Sequence, residues 1–144
     1  MVAADLRSKA KEEAGMRLLL DTHVLVWALV SPDRLPRQVR SMIEDRRNDV
    51  CFSVASLLEI AAKRSSKSRS APPISSEVAS RAAHDAGFRE IRVTAEHAIA
   101  VETVALAHPD LSDRLLLAQA QVEGLQLLTH DEALAQFDQD VIHF

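Results

Sequence analysis

Short apolar runs that end in a polar or acidic residue are the feature that most constrains this fold. Residues 18–20 are three leucines that end at Asp21, and a helical apolar pattern follows at once. Residues 50–54 and 125–129 are similar runs next to helical patterns. Short continuous apolar runs are typical of strands buried on both faces of a parallel sheet. The alternation of such strands with helices predicts an α/β fold with helices on both faces of the sheet.

The length and composition of the chain are those of one globular domain. Its 144 residues are 47% hydrophobic and 26% charged, which is ordinary for a globular protein with a substantial core. Residues 1–15 are polar and rich in alanine and precede the first apolar run. We therefore expect an N-terminal extension outside the core at residues 1–15 and the folded domain at residues 16–144.

The sequence also indicates where the protein works. A single cysteine, Cys51, cannot form an internal disulfide, which is typical of a reducing compartment. No apolar run approaches the roughly 20 residues that span a bilayer. The N-terminus lacks the hydrophobic core of a signal peptide. We expect a cytoplasmic protein that does not associate with a membrane.

The distribution of charge excludes one class of function and leaves another open. A formal net charge of −4 argues against a protein that binds polyanions through bulk attraction. It does not exclude a nucleic-acid enzyme whose acidic site is neutralised by metal ions and whose basic patches contact phosphates locally. One basic patch lies at residues 34–47, and the second consists of Lys63, Arg64, Lys67 and Arg69. Basic runs are more often solvated surface, so charge alone assigns neither patch a partner.

Four acidic residues share one kind of position in the predicted fold. Asp21 and Asp131 each follow a buried strand, whereas Glu59 and Asp113 lie in the first turns of helices. The carboxyl ends of parallel strands meet at one edge of the sheet, so residues far apart in the chain can converge there. Converging carboxylates repel one another and need a counter-charge. Hard oxygen ligands suit Mg²⁺ or Mn²⁺, which support the hydrolysis of phosphodiesters.

Each of these acids also has a purely structural interpretation. Asp21 can cap the helix that follows it. An acid such as Asp113 at a helix N-terminus complements the helix dipole. Glu59 stands four residues before Lys63, the spacing of an ion pair on one helix face. The joint pattern of the four acids favours a metal site over these separate interpretations.

Three histidines lie close to the acidic residues in the sequence: His23, His108 and His130. They lack the spacing of paired histidines on a helix and have no cysteine partners, which argues against a zinc site. We interpret them as hydrogen-bonding groups around the acids. Trp27 and Phe52 are interpreted as core residues, and Asp110 is not assigned to the site.

Several segments outside these motifs have a predicted local structure. The Ser-, Lys- and Pro-rich residues 64–76 predict a basic loop, residues 88–93 a half-exposed strand, and residues 132–137 a short helix. Thr94 is predicted to cap its helix with the hydroxyl alone, because no acid stands three residues later.

Four sequence blocks in the same order resemble the PIN-domain ribonucleases, and among them the VapC-type toxins of bacterial toxin–antitoxin pairs. The resemblance covers residues 16–144. The blocks are Leu19-Leu20-Asp21-Thr22-His23 with Trp27, Ser56-Leu57-Leu58-Glu59-Ile60 with Lys63, Ser112-Asp113-Arg114-Leu115-Leu116 with Ala118-Gln119-Ala120, and Leu127-Leu128-Thr129-His130-Asp131. The chain departs from the family's frequent pattern at Leu111-Ser112, where Pro-Phe is common, and at His130, where Ala is common.

The resemblance implies a fold, a site and partners. The fold is a three-layer α/β/α sandwich with a mainly parallel sheet, and the protein is a homodimer. Asp21, Glu59, Asp113 and Asp131 line a site for Mg²⁺ or Mn²⁺ that hydrolyses RNA, and a cognate VapB-type antitoxin neutralises the activity. By their charge, Lys63, Arg64, Lys67 and Arg69 are expected to contact the RNA backbone.

Two other classes of protein compete with this interpretation. The first is a phosphoryl-transfer domain with Asp21 as nucleophile, as in haloacid-dehalogenase-type phosphatases or receiver domains. Those phosphatases need a second aspartate two residues on, where this chain has His23, and receivers need an acidic pair on the first loop. The second is a catalytically silent binding module.

The N-terminal extension yields the first testable prediction. Deletion of residues 1–15 should lower the melting temperature by less than about 5 °C, because the segment has no apolar face to pack on the domain. A change of about 1 kcal/mol shifts a domain of this size by a few degrees. A thermal melt of the truncated and full chains measures the difference. A larger decrease would show that the extension packs on the core.

Overall fold

The computed structural model describes residues 15–104, 108 and 110–144 of the chain. The predicted extension at residues 1–15 therefore lies outside the described residues, apart from Gly15. The elements in chain order are β1 (Arg17–Leu20), α1 (Thr22–Val30), a 3-10 turn (Pro32–Arg34), α2 (Arg37–Glu44), β2 (Asp49–Ser53), α3 (Val54–Ser65), α4 (Ser76–Asp85), β3 (Arg89–Ile91), α5 (Ala95–Ala100), α6 (Leu111–Glu123), β4 (Gln126–Thr129), 3-10 turns (Glu132–Leu134 and Asp138–Asp140) and β5 (Val141–His143).

Five parallel strands form the central sheet, in the order β3-β2-β1-β4-β5. The central strand β1 pairs with β2 on one side and with β4 on the other. In this register Leu19 lies opposite Cys51 and Leu127, and Leu20 lies opposite Leu128. The prediction of a mainly parallel sheet in an α/β fold is confirmed.

The side chains of β1 divide the core between the two faces of the sheet. Leu19 packs in one cluster with Leu117 of α6. Leu18 and Leu20 point to the opposite face and pack in a second cluster with Leu25 of α1. All five leucines are fully buried. This burial on both faces explains why β1 is an uninterrupted apolar run, and it gives the molecule three layers.

Four predicted segments have different bounds or geometry in the structure. The strand expected at residues 88–93 is limited to Arg89–Ile91, and the helix expected at residues 132–137 is a single 3-10 turn. Arg64 belongs to the last turn of α3 rather than to the basic loop. The capping of α5 is also more complete than predicted, because the His97 ring accepts a hydrogen bond from the backbone N–H of Thr94. An imidazole nitrogen thus takes the role that Glu or Gln has in a capping box.

A buried polar network fixes α6 against the end of β2. The Ser53 hydroxyl donates to Oε1 of Gln119 at 2.5 Å, and Nε2 of Gln119 donates to the carbonyl oxygen of Arg92 at 3.3 Å. Ser53 also accepts a hydrogen bond from the N–H of Ala55 and so caps α3. Ser53 and Gln119 are fully buried. The network therefore sets the position of α6, whose first turn carries Asp113.

Among the helices of residues 15–104 and 110–144, none is both long and apolar enough to cross a lipid bilayer.

The buried network predicts a large loss of stability for Gln119→Ala. The substitution leaves a buried hydroxyl and a carbonyl without their partner and opens a cavity, so we expect the free energy of unfolding to fall by about 2–4 kcal/mol. Gln121→Ala is the matched control, since Gln121 lies one half-turn away and makes an exposed hydrogen bond to Asp140. Denaturant titration measures both variants, and equal losses would contradict the role of the network.

Candidate metal centre

Asp21 lies where β1 ends and is almost completely buried, with 4% of its surface exposed. Its Oδ2 accepts a hydrogen bond from the hydroxyl of Thr129, and its backbone N–H donates to the carbonyl of Leu128. Asp21 occupies the N-cap position of α1, but its side chain makes no capping hydrogen bond. The carboxylate is therefore held by the neighbouring strand β4 rather than by the helix that follows it.

Thr129 connects two of the predicted acids. Besides donating to Asp21, its Oγ1 accepts the backbone N–H of Asp131 at 3.0 Å. Oδ1 of Asp131 in turn accepts the N–H of Ala133 and caps the 3-10 turn. One hydroxyl at the end of β4 thus fixes the positions of both acids. Its role was not predicted from the sequence.

Asp113 lies in the first turn of α6, next to a buried histidine. Its Oδ2 is 2.8 Å from Nε2 of His108, and the two side chains are 16% and 7% exposed. The backbone N–H of Asp113 donates to Asp110, so Asp110 is the residue that caps α6. The side chain of Asp113 therefore points to His108 and not to the helix backbone.

The surroundings of Asp113 make its charged form costly. Burial is the main reason that its pKa rises to about 6, and the negative charges of Asp110 and Asp21 raise it further. The hydrogen bond and charge of His108 oppose this rise. A carboxyl group that resists ionisation in the absence of a cation is typical of a site built for a positive ion.

One group of ligand-type side chains lies close enough together to hold a single ion. Within the described part of the chain this group is His108, Asp113 and Asp131, whose donor atoms all lie within 4.8 Å of one another. Asp21 is near enough for its charge to affect Asp113. The carboxylate oxygens suit Mg²⁺ or Mn²⁺, and the imidazole adds a nitrogen donor. These residues therefore fit a divalent cation at the carboxyl edge of the sheet.

His108 matches the expectation of a hydrogen-bonding histidine and goes beyond it. It is also a potential donor within the cluster, whereas the sequence had argued against a zinc-ligand role for this histidine. Its position five residues before Asp113 was the available signal. The path of the intervening chain decides whether the ring reaches the acid, and that path is not visible in a sequence pattern.

Glu59 is placed apart from this cluster. Its carboxylate is 3.6 Å from Nζ of Lys63 on the next turn of α3, which is the ion pair considered as its structural interpretation. Both residues line a small cavity of about 40 Å³ together with His23 and Trp27. The structure thus brings Asp21, Asp113 and Asp131 together and leaves Glu59 at the neighbouring cavity.

A larger pocket of about 320 Å³ opens directly on the acids. It is lined by Asp21, His23, Trp27, His130 and Asp131. Trp27 is half-buried: it packs against the core cluster that contains Leu25, as expected in part, and it also forms a wall of this pocket. Phe52 is fully buried in the core as expected. A tryptophan within an apolar helix pattern looks the same in either position, so the sequence did not distinguish them.

The predicted RNA-binding residues lie along the end of α3 and the chain after it. Lys63 pairs with Glu59, whereas Arg64 donates to the carbonyl oxygen of Pro72 across the turn. Lys67 and Arg69 are exposed, and Lys67 has the positive φ of 53°. The segment between α3 and α4 has no helix or strand, as predicted.

The family model for the PIN domain matches residues 18–140, a range that contains β2, β3 and β4 completely, begins within β1 and ends just before β5. The chain belongs to the PIN-domain family. No curated protein sequence matches the chain at a significant level.

Solved structures share the fold over almost their whole length. A chain in the crystal structure of VapBC2 from Rickettsia felis, bound to a DNA fragment from its promoter, matches this chain with a TM-score of 0.64. The two sequences are 15% identical, and the match covers 89% of this chain and 98% of the other. A chain of a toxin–antitoxin complex from Klebsiella pneumoniae matches with a TM-score of 0.59 and 20% sequence identity. That match covers 87% of this chain and 95% of the other. A chain of VapBC-5 from Mycobacterium tuberculosis matches with a TM-score of 0.57 and 16% sequence identity, over 89% of this chain and 97% of the other. At these identities the matches establish the PIN-like fold.

The raised pKa of Asp113 predicts an unusual effect of Asp113→Asn on stability. The folded state holds the Asp113 proton more tightly than the unfolded chain does, so this group lowers stability as the pH rises from about 4 to about 6. The cost persists above pH 6 and is on the order of 1–3 kcal/mol. Asn removes the charge and keeps an oxygen that can accept from His108. The metal-free variant should therefore melt at or above the parent well above pH 6, and this advantage should disappear well below it.

Melting curves with and without the metal ion complete this test. Millimolar Mg²⁺ should stabilise the parent more than the variant, because an ion that binds the folded state alone shifts unfolding by mass action. Glu102→Gln, at an exposed carboxylate after α5, is the control and should leave both effects unchanged. If the variant is clearly less stable than the parent in EDTA well above pH 6, the main role of Asp113 is its structural contact with His108 and not metal binding.

Proposed function

We propose that this protein is a divalent-metal-dependent endoribonuclease that hydrolyses RNA phosphodiester bonds and acts as the toxin of a toxin–antitoxin pair. PIN domains are generally nucleases. The observation that carries the proposal is the convergence of Asp21, Asp113 and Asp131 at the carboxyl edge of the sheet, together with the raised pKa of Asp113. Three carboxylates this close together need a cation, and two of them, Asp21 and Asp131, line an open pocket. A phosphodiester is the substrate that such a cation serves.

Each side chain of the centre has a separate task in this proposal. Asp21, Asp113 and Asp131 would hold Mg²⁺ or Mn²⁺, with Glu59 as a further oxygen ligand from α3. The bound ion would polarise the scissile phosphate and lower the pKa of a bound water. Thr129 keeps Asp21 and Asp131 in place through its two hydrogen bonds. His108 orients Asp113 through its contact with Oδ2.

The protonation of Asp113 would couple the activity to pH. A carboxyl group with a pKa of about 6 is a poor ligand when protonated, so metal binding should weaken as the pH falls below that value. His108, Asp110, Asp21 and Asp131 all face or surround this group, and the ion itself would lower its pKa when bound.

The proposal extends to the partners of the enzyme. Lys63, Arg64, Lys67 and Arg69 would contact the RNA backbone beside the pocket, a role that rests on their charge. The protein would act in the cytoplasm as a homodimer. The three similar structures are of VapBC systems or a toxin–antitoxin complex, which supports a VapB-type antitoxin as the natural inhibitor. An antitoxin cation inserted among the carboxylates would compete with the metal for them.

The geometry supports the rival functions less well. A nucleophilic Asp21 would need an accessible carboxylate, but this side chain is 4% exposed and accepts a hydrogen bond from Thr129. His23 occupies the place where dehalogenase-type phosphatases carry their second aspartate. A catalytically silent module has no need for a crowded acidic cluster that raises the pKa of Asp113 to about 6.

Cleavage assays test the proposed activity directly. The parent should cut single-stranded RNA in millimolar Mg²⁺ or Mn²⁺ and lose all activity in EDTA. Asp21→Asn and Asp113→Asn should each lower the cleavage rate by at least about 100-fold, because they remove a charged ligand rather than a group that orients one. Gel analysis of a labelled RNA measures the rate, and the exposed Glu102→Gln is the control.

Two results would contradict the assignment. Full activity of both variants in Mg²⁺ would remove Asp21 and Asp113 from the metal site. Cleavage that persists in EDTA would rule out a metal-dependent mechanism.

A further inference from the structure

We propose that the pocket between Trp27 and His130 is a nucleobase subsite, which binds one unstacked base of single-stranded RNA beside the metal centre. This inference rests on the proposed ribonuclease function and deepens it, because it defines the form of RNA that the enzyme accepts. The pocket is the cavity of about 320 Å³ lined by Asp21, His23, Trp27, His130 and Asp131.

The aromatic wall of the pocket is the first argument. Aromatic residues make up only 3% of the chain, and Trp27 is its single tryptophan. The ring of His130 packs edge-on against Trp27, with centroids 5.6 Å apart, and the ring of His23 lies 6.2 Å from it. Flat rings grouped at an open pocket are the platform on which single-stranded nucleic acids stack their bases.

The position of the pocket is the second argument. Asp21 and Asp131 belong both to its lining and to the candidate metal centre. A base bound on Trp27 therefore belongs to a nucleotide whose phosphate lies beside these acids. Binding at this point would hold the sugar–phosphate chain in register with the ion, which is the positioning that a hydrolytic site needs.

The size of the pocket selects the form of the nucleic acid. A volume of about 320 Å³ is near the lower limit for a ligand site. It has room for a single flat group but not for a paired and stacked helix. In duplex RNA the bases face one another inside the helix and cannot reach a side-chain platform. The subsite thus predicts a preference for single strands.

Arg34 favours a base over a cationic side chain of a protein partner. Its guanidinium carbon lies 4.7 Å from the centroid of the Trp27 ring, and Arg34 is exposed. A cation therefore already lies over the Trp27 ring, and Arg34 would repel a second cation at the same place. A neutral flat base has no such penalty. Arg34 also places a positive charge where the phosphate of a flanking nucleotide can reach it.

The sole tryptophan gives a direct measurement of stacking. The full-length Asp113→Asn variant, which should not cleave, is titrated with single-stranded oligoadenylate, oligouridylate, their duplex and an abasic ribose-phosphate oligomer. A base that stacks on Trp27 should quench its fluorescence in a saturable way. We expect quenching by both single strands, more strongly by oligoadenylate, and little change with the duplex or the abasic oligomer. The parent in EDTA provides a second non-cleaving form of the enzyme.

Substitutions in the wall test the contribution of each ring. With labelled oligoadenylate, fluorescence anisotropy should show that His130→Ala raises the Kd about tenfold, within the range measured for lost base stacking. Trp27→Leu should raise it at least as much, and Trp27→Phe should lie between parent and Leu. His84→Ala is the matched control, because this exposed histidine lies in the last turn of α4 and does not line the pocket. It should leave the Kd unchanged.

The results separate this inference from the proposed function. If the parent cleaves RNA in Mg²⁺ but Trp27 fluorescence does not respond to bound RNA and His130→Ala binds normally, the subsite is wrong and the nuclease stands. Equal quenching by the abasic oligomer would also overturn the subsite, because the contact would then be with the backbone. Quenching by a purified antitoxin but by no RNA would identify a protein-docking pocket instead. If the parent neither binds nor cleaves RNA, both proposals fail.

Discussion

A carboxylate buried at the end of the central strand is the constraint on which the site depends. Asp21 has almost no contact with solvent, and a buried charge is unfavourable unless hydrogen bonds or ions compensate for it. The compensation comes from Thr129, the residue after Leu128, which is paired in register with Leu20. Only a parallel pairing of β1 and β4 brings these two strand ends together. The sheet thus provides the first hydrogen bond of the site.

The remaining acids reach this point by different routes, and their meeting lowers stability. Asp131 is fixed by the same threonine. Asp113 lies on α6, and the hydrogen bond between the buried Gln119 and Ser53 holds this helix at the end of β2. The closer these charges lie, the more strongly each opposes the ionisation of the others, and the high pKa of Asp113 reflects that opposition together with burial. A cluster of carboxylates of this type lowers stability when no cation neutralises it, as functional sites often do.

The sequence predicted those features that depend on strand burial and strand ends. Three apolar runs were sufficient to predict the parallel sheet, and the acids after β1 and β4 were placed correctly at its carboxyl edge. It did not predict the hydrogen bonds of Thr129, the position of His108 as a potential metal donor, or the place of Trp27 in the pocket wall. Each of these features depends on the orientation of one side chain in a loop or helix. Tertiary contacts determine that orientation, and they leave no periodic pattern in the sequence.

Glu59 shows why four matching motifs do not fix four ligands. The same i,i+4 spacing that permits an ion pair with Lys63 places both residues at the small cavity next to the acidic cluster. Lys63 is the counter-charge in contact with Glu59, and it neutralises Glu59 outside the cluster of the other acids. A divalent ion that recruited Glu59 would have to replace this lysine, and Lys63 would then be released toward solvent and phosphate. Glu59 cannot act as a metal ligand, nor Lys63 as an RNA contact, while the two residues form their ion pair. The two predicted roles are, however, compatible with each other.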